Sequence, residues 1–273
     1  TQCSNNLKQI GLALHNYEGA NKVFPPSWTL GVNPVSGGHA WGTMLLPYIE
    51  QDNLYKRYDL ALPVVVPGNV AVISTQVTIF ECPSTPPYTR LYTQFIPAGA
   101  VPGLPALTWN AWAGDYTATS GILGNVLNNC FTPPGGSERH GALRFNEKTK
   151  ISQVTDGLSN TIFTAELAGR NDLWRAGKKV ASPPTGSTGG GWGDPLNGEC
   201  WFGGSLANGT GSVGPCIMNC TNDRGRGLYA FHTGGSNVLL GDGSCRFLSA
   251  SISNCTFAFL VTREKGEVIP SDF

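Results

Sequence analysis

His232 and Asp242, with nine residues between them, are residue types that acid–base chemistry uses together. A carboxylate beside an imidazole fixes its tautomer and stabilises the imidazolium. The chain between them offers a way of joining them. Asn237-Val238-Leu239-Leu240 and Cys245-Arg246-Phe247-Leu248 are β-type runs connected through Gly241-Asp242-Gly243-Ser244. Asp-Gly between two such runs predicts a hairpin, and facing strands would bring the imidazole near the carboxylate. No nucleophile is signalled beside the pair, because no Gly-x-Ser-x-Gly elbow is present. The two therefore read as a hydrogen-bonded His232 and a turn whose geometry Asp242 and Gly243 supply. Glu166, with Asp156 or Asp242, offers a carboxylate pair of the kind that hydrolyses glycosides. Sequence distance does not set the separation that reaction needs, and each acid also has a turn or capping role open to it. Asp156-Gly157-Leu158-Ser159-Asn160 is rich in oxygen but lacks the ligand spacing of an EF-hand loop. A loop-bound calcium ion is the one cofactor it suggests. Gly189-Gly190-Gly191 and Gly203-Gly204 are followed by no Gly-Lys-Ser/Thr, so they are not phosphate loops. No residue is assigned a catalytic role.

The eight cysteines are Cys3, Cys82, Cys130, Cys200, Cys216, Cys220, Cys245 and Cys255. An even count fits an oxidised, exported protein. Zinc competes with that reading, but a structural zinc site wants two close Cys/His pairs. Only Cys216 and Cys220 stand close, and the 4 histidines supply no matching pair. Disulfides are expected, and no metal centre. The favoured bridge is Cys3–Cys82, tying the first helix to the body. Cys245 and Cys255 flank an apolar strand-like run and would pair in a hairpin. Cys200 with Cys216 or Cys220 would staple the Gly-rich region.

The elements that must position these residues follow from periodicity. Leu7, Ile10, Leu14 and Tyr17 fall at helical spacing, with Ser4 or Asn5 as N-cap and an end before Phe24-Pro25-Pro26. A second helix is expected around Met44–Tyr58, with Pro47 in its first turn. Val64–Val72 and Ile73–Phe80 are β-branched runs bounded by Pro and Gly and read as strands. Tyr116–Thr119 and Thr161–Glu166 read as strands too. Residues 183–215 form a Gly/Pro-rich surface insertion carrying Trp192 and Trp201, which read either as contact aromatics or as pins holding the loop down. With Trp109 and Trp112 they are the candidate stacking platforms for a glycan. Asn208, Asn219 and Asn254 each begin a glycosylation triplet, and Asn208 is the most accessible candidate.

Composition narrows the partners. The chain has 273 residues, 18 Lys+Arg and 18 Asp+Glu, and a pI of about 6.8. Nucleic acid is not an expected partner, because displacing phosphate counterions needs a basic excess. A polybasic membrane patch is disfavoured for the same reason. Charged residues are only 13%, against roughly 25% for an ordinary soluble domain, and low net charge favours self-association. With 36 Gly and 19 Pro the chain reads as loop-rich and mostly β. One domain over 1–273 is expected, helical over 1–60 and mostly β over 61–273. No run approaches the ~18 apolar residues of a membrane span. The sequence begins at Thr1 and shows no signal-peptide pattern, which is expected either if a segment is removed before Thr1 or if the sequence starts within a longer chain.

Several segments resemble a known family. Cys3-Ser4-Asn5-Asn6-Leu7-Lys8-Gln9-Ile10-Gly11-Leu12-Ala13-Leu14-His15-Asn16-Tyr17 is similar to the segment that follows a prepilin's hydrophobic helix. Leu45-Leu46-Pro47-Tyr48-Ile49-Glu50-Gln51 resembles a second family segment, and Asp156-Gly157-Leu158-Ser159-Asn160-Thr161 with Glu166 another. His232, nine intervening residues and then Asp242-Gly243 resemble the processing-associated motif. The chain is thus similar to the bacterial prepilin-like, type IV pilin or pseudopilin-like exported family of planctomycete type. The resemblance implies an α+β head in which an N-terminal helix packs on an antiparallel β-sheet, with long disulfide-pinned loops. It also implies a hydrophobic helix upstream, absent from this sequence, as the means of membrane attachment. The expected function is a structural subunit that self-assembles into an extracellular pilus-like filament or surface fibre, its partner being itself. A monomeric surface module for glycans or small ligands is the alternative, and a secreted hydrolase using Glu166, His232 or Asp242 the third.

Overall fold

A computed structural model describes the chain except for residues 33–34, 100–102, 132–138, 182–188, 199 and 271–272. Helix α1 (Gln2–Asn21) buries Cys3, Leu7, Ile10, Gly11, Ala13 and Leu14 along one face. Its N-cap is Thr1, not Ser4 or Asn5, and Thr1 makes no side-chain cap bond. The expected second helix is broken into α2 (Trp41–Leu45), a 3-10 turn at Leu46–Tyr48 and α3 (Asp52–Tyr55). Pro47 lies in that turn, and Glu50 takes φ 60°, which no α-helix continues through.

The two strands expected between Val64 and Phe80 are absent. The chain there forms α4 (Pro67–Ile73) and a 3-10 turn at Thr78–Phe80. Pro67 is pre-set for a first helical position, and burying Asn69, Val72 and Ile73 on one side overrides the β preference of branched residues. The Asn69 amide donates to the carbonyls of Asp59, Leu62 and Pro63 while its oxygen accepts from Asp59 N.

Two hairpins, β1 (Trp28–Val32) with β2 (Val35–Ala40) and β3 (Leu91–Ile96) with β4 (Leu107–Trp112), flank the central sheet. That sheet is built from β5 (Tyr116–Ile122), β6 (Arg139–His140) and β7 (Ile162–Glu166), and from β10 (Cys200–Phe202), β11 (Gly235–Leu240) and β12 (Cys245–Ser249). A short ribbon, β8 (Trp174–Arg175) with β9 (Lys178–Lys179), stands apart. The sheet order is β10-β5-β7-β11-β12, with β6 also on β5. All pairs are antiparallel except β10 with β5. The fold is α+β.

The sheet has two covered faces. On one, Leu7, Ile10 and Leu14 of α1 share a core with Tyr116, Ala118, Phe163 and Leu239. On the other, Phe257, Ala258, Leu260 and Val261 of α7 (Asn254–Val261) meet Ile162, Val238, Leu240 and Leu248. Each of the buried Val, Leu, Ile and Phe side chains stabilises the fold by about 1.5–3 kcal/mol relative to exposure. Helix α7 starts where the Ser253 hydroxyl accepts from Thr256 N.

The disulfides are Cys3–Cys82, Cys130–Cys255 and Cys216–Cys220. The first is the expected bridge. The other two replace the expected Cys245–Cys255 and Cys200 pairings, leaving Cys200 and Cys245 as free thiols. The sheet explains the change. Cys245 packs with the α1-side core and Cys255 lies on α7, so the sheet separates them. Cys130 follows the short helix α5 (Asn125–Asn128), which packs on α7, with the Phe131 and Phe259 rings 5.4 Å apart. Cys200 is buried in the sheet itself.

The expected surface insertion over 183–215 is also corrected, apart from 182–188 and 199, which lie outside the described residues. Gly189–Pro195 is buried and leads into α6 (Pro195–Gly198). Trp192 is wholly buried and stacks on Phe80, with ring centroids 5.6 Å apart and planes at 7°.

Candidate functional site

Four segments distant in the sequence meet beside the first turn of α1. Cys3 comes from that turn, Cys82 follows the Thr78–Phe80 turn, Glu166 ends β7, and His232 precedes β11, bridged to Gly235. The His232 Nε2 lies 3.0 Å from Glu166 Oε1 and 3.6 Å from Cys82 Sγ. One ligand-type atom from each of Cys3, Cys82, Glu166 and His232 lies within 4.8 Å of every other. Cys3, Cys82 and Glu166 are buried, and the His232 side chain, 18% exposed, is where the cluster reaches solvent.

The surroundings hold these groups in place. Glu166 Oε2 accepts from Asn237 N at 2.6 Å and from Ser236 Oγ at 3.2 Å, and the Asn237 amide donates to both carboxylate oxygens. A buried carboxylate with that many donors is both oriented and paired. Cys82 N donates to Asp115 Oδ2 at 2.7 Å, and Asp115 is itself paired with Arg90 at 3.0 Å. The Tyr116 hydroxyl donates to the Cys3 carbonyl at 3.2 Å. Burial first, and the Glu166 charge next, push that phenol well above its ordinary range, so it remains a donor. Asn6 Nδ2 donates to the Glu81 carbonyl at 2.7 Å, tying α1 to the strand-like segment before Cys82.

This arrangement differs from a nucleophile–base–acid relay. In a relay the two imidazole nitrogens serve different partners, whereas here Nε2 faces both Glu166 and the disulfide sulfur. With the bond closed, the cluster is a staple backed by a hydrogen-bonded histidine.

The residues of the chain match over 1–254 a family model, SBP_bac_10, described as a protein of unknown function (DUF1559). The chain belongs to that family. No curated protein and no solved structure matches it. Family membership and three disulfides place this DUF1559 protein outside the reducing cytoplasm, as an exported chain.

Asp242 is not part of the cluster. It lies at the opposite end of β11, exposed, about 20 Å along the strand from the His232 end at ~3.3 Å per residue. Its Oδ1 accepts from Ser244 N at 2.8 Å, and Gly243 takes φ 84°, which requires glycine in such a turn. The expected approach of His232 to Asp242 is thus replaced by His232 with Glu166. Asp156 is elsewhere too. Its carboxylate accepts from Lys265 N and Gly266 N at 2.9 and 2.7 Å and secures the C-terminal segment. Among the described residues neither acid forms a carboxylate pair with Glu166; the two Asp156 oxygens each accept one backbone N–H bond.

The aromatic and glycan candidates divide by burial. Trp109 and Trp192 are core residues, and Trp192 Nε1 donates to the Thr75 carbonyl at 2.9 Å. Trp112 is half-buried and donates to Glu81 Oε1 at 2.6 Å. Trp201 is half-buried and lines a cavity of about 400 Å³ with Arg224 and Arg226. Asn208 is exposed, its Oδ1 accepting from Thr210 N and Oγ1. The Asn219 amide is used inside the fold, bonding Ala230 N and the Gly235 carbonyl. Asn254 opens α7 beside the Cys130–Cys255 bridge.

Sequence reasoning missed a second polar cluster. Arg170 and Asp194 are wholly buried with Asn197 and the Cys200 thiol. The Tyr92 hydroxyl donates to Asp194 Oδ2 at 2.6 Å and accepts from Gly190 N and Gly191 N. Arg170 donates to Asn197 Oδ1. Burial pushes the Asp194 carboxyl and the Cys200 thiol up and the Arg170 guanidinium down. The cluster is closed to solvent and holds the 189–198 segment against the sheet. Arg170 and Asp194 are twenty-odd residues apart in sequence, with nothing in their spacing to signal that they share one buried cluster.

Proposed function

We propose that this protein is a structural subunit that joins copies of itself into an extracellular, pilus-like surface fibre, and that it has no enzymatic activity. The observation that carries this reading is the outer edge of β12. Leu240 N donates to the Ser244 carbonyl and Ala250 N to the Gly234 carbonyl. That phase turns the backbone groups of Arg246 and Leu248 toward β11 and those of Cys245 and Phe247 outward. Among the described residues no strand pairs with this edge. The Phe247 side chain is 51% exposed beside it. A bare edge with an apolar side chain is a template for another strand, and the near-neutral charge of the chain does not oppose contact between copies. A helix laid along an antiparallel sheet also agrees with the pilin-like resemblance.

The test uses the full chain without reductant, imaged by electron microscopy and sized by light scattering over a wide concentration range. Phe247→Pro removes an outward N–H and leaves the β11 ladder intact. Ordered polymers of the wild type that vanish in a folded Phe247→Pro variant are expected. Monomers of the wild type at every concentration would sink the reading. A glycan-binding module is the second reading. It is supported by a cavity of about 340 Å³ whose lining includes Tyr17, Tyr48, Tyr55 and His39. Glycan binding lost on Tyr48→Ala would favour it.

A further inference from the structure

We infer that Cys3, Cys82, Glu166 and His232 form a redox-gated metal site. With the disulfide open, they bind one divalent cation of the zinc class. This inference is independent of fibre formation.

The donor set is the first argument. Two thiolates, an imidazole and a carboxylate are ligands zinc takes in fourfold coordination. They come from four separate segments, and no sequence spacing announces them. The second argument is geometric. A tetrahedral ion with Zn–S about 2.3 Å and Zn–N or Zn–O about 2.0–2.1 Å sets sulfur–nitrogen edges of about 3.6 Å and nitrogen–oxygen edges of about 3.3 Å. The Cys82–His232 and His232–Glu166 separations are 3.6 and 3.0 Å. These edges are near those values while the disulfide is still closed. Opening it must carry the sulfurs apart to about 3.7 Å, which side-chain rotation can supply from Cα atoms 4.9 Å apart. The third argument is the support around the ligands. Ser236 and Asn237 orient the Glu166 carboxylate, as outer partners do at metal sites. The partly exposed His232 edge is the way in.

The step balances as follows. A phosphine reductant takes oxygen from water and becomes its oxide, and the two sulfurs are released as thiols. A dithiol reductant does the same by exchange, closing its own disulfide. The cation then displaces the two thiol protons to solvent. His232 gives up its Nε2 proton, which Nδ1 carries instead, and binds through Nε2. The oxidation state of one bond thus decides whether Cys3 and Cys82 are a staple or ligands.

Cobalt(II) is the probe, because thiolate coordination gives it a near-ultraviolet charge-transfer band and visible bands of tetrahedral strength. The full chain is reduced with a phosphine under argon and titrated. One equivalent of cobalt with thiolate bands is expected, displaced by zinc and absent from the oxidised chain. His232→Ala and Cys82→Ser should each weaken binding at least ~10-fold, and Asn237→Ala about 10–100-fold if it acts through Glu166. Cysteines outside the site provide the control: bands that persist in Cys3→Ser/Cys82→Ser arise at Cys216 and Cys220 or at the free thiols, and overturn the assignment. Absence of bands in the reduced wild type overturns it as well. If reduction unfolds the chain, circular dichroism decides. Cobalt that restores the native spectrum of the wild type but not of Cys82→Ser supports the site, and failure to restore it refutes it.

Discussion

Strand β11 runs from Gly235, bridged to His232, to Leu240, where the chain turns through Gly241-Asp242-Gly243. The His232 end is largely buried and holds the Glu166 carboxylate, and it is assembled from α1, the segment after the Thr78–Phe80 turn, and β7. The Asp242 end is exposed, and its side-chain bond is local, two residues along the chain. What matters there is the absence of side chains. A Cβ on Gly241 would meet Phe163 Cε1 at 2.5 Å, and one on Gly11 of α1 would meet Leu239 Cδ1 at 2.8 Å and Gly243 Cα at 3.3 Å. Two residues of one motif thus differ in kind. His232 has chemistry because distant groups arrive beside it, while Asp242 shapes a turn so that α1 can lie close.

Breaking the charged end should have the largest effect. Glu166→Ala removes the acceptor for Ser236, for both nitrogens of Asn237 and for His232. Losing one partner of a buried charged network costs about 3–5 kcal/mol, and Glu166→Gln, which keeps one acceptor oxygen, should lose less. Urea unfolding followed by circular dichroism reads both. A loss below ~1 kcal/mol for Glu166→Ala would mean that the two ends of β11 matter equally.

Packing at the glycine end should rank second. Gly11→Ala adds a methyl against Leu239 and the Gly243 backbone. Overpacking of this kind costs about 1–3 kcal/mol, offset by the ~1 kcal/mol that alanine gains over glycine inside a helix. A net loss of about 1 kcal/mol in the same urea measurement is expected. A stabilised variant would show that Leu239 yields freely and that the close approach of α1 is not constrained.

The contrast also shows what was legible. Local signals carried α1, β5, β7 and the β11–β12 hairpin, because each has its own periodicity or turn chemistry. They misread Val64–Phe80, where Pro67 and the burial of Val72 and Ile73 outweigh β-branching. They misplaced Trp192, because a Gly-rich neighbourhood reads as surface, yet here glycine lets the backbone pack: a Cβ on Gly42 would meet the Trp192 carbonyl oxygen at 2.3 Å. The Cys3–Cys82 bridge was legible as a staple. Its neighbours Glu166 and His232 were singled out separately, but their meeting depends on β7 and β11 lying side by side in the sheet. Strand order is a long-range property that pairwise spacing does not encode.

The smallest effect should come from Asp242. Its carboxylate makes one bond, to Ser244 N, in an exposed turn. Removing an exposed bond of this kind costs about 0.5–1 kcal/mol, and Asp242→Asn, which keeps the acceptor, should be close to neutral. Asp242 N donates to the Leu158 carbonyl at 3.1 Å, a backbone contact that neither substitution touches. If Asp242→Ala instead cost as much as Glu166→Ala, the turn would be doing more than geometry. A partner that approaches Asp242 from outside the chain would then account for the cost, since the carboxylate's bond within the chain, to Ser244 N, is too weak to do so.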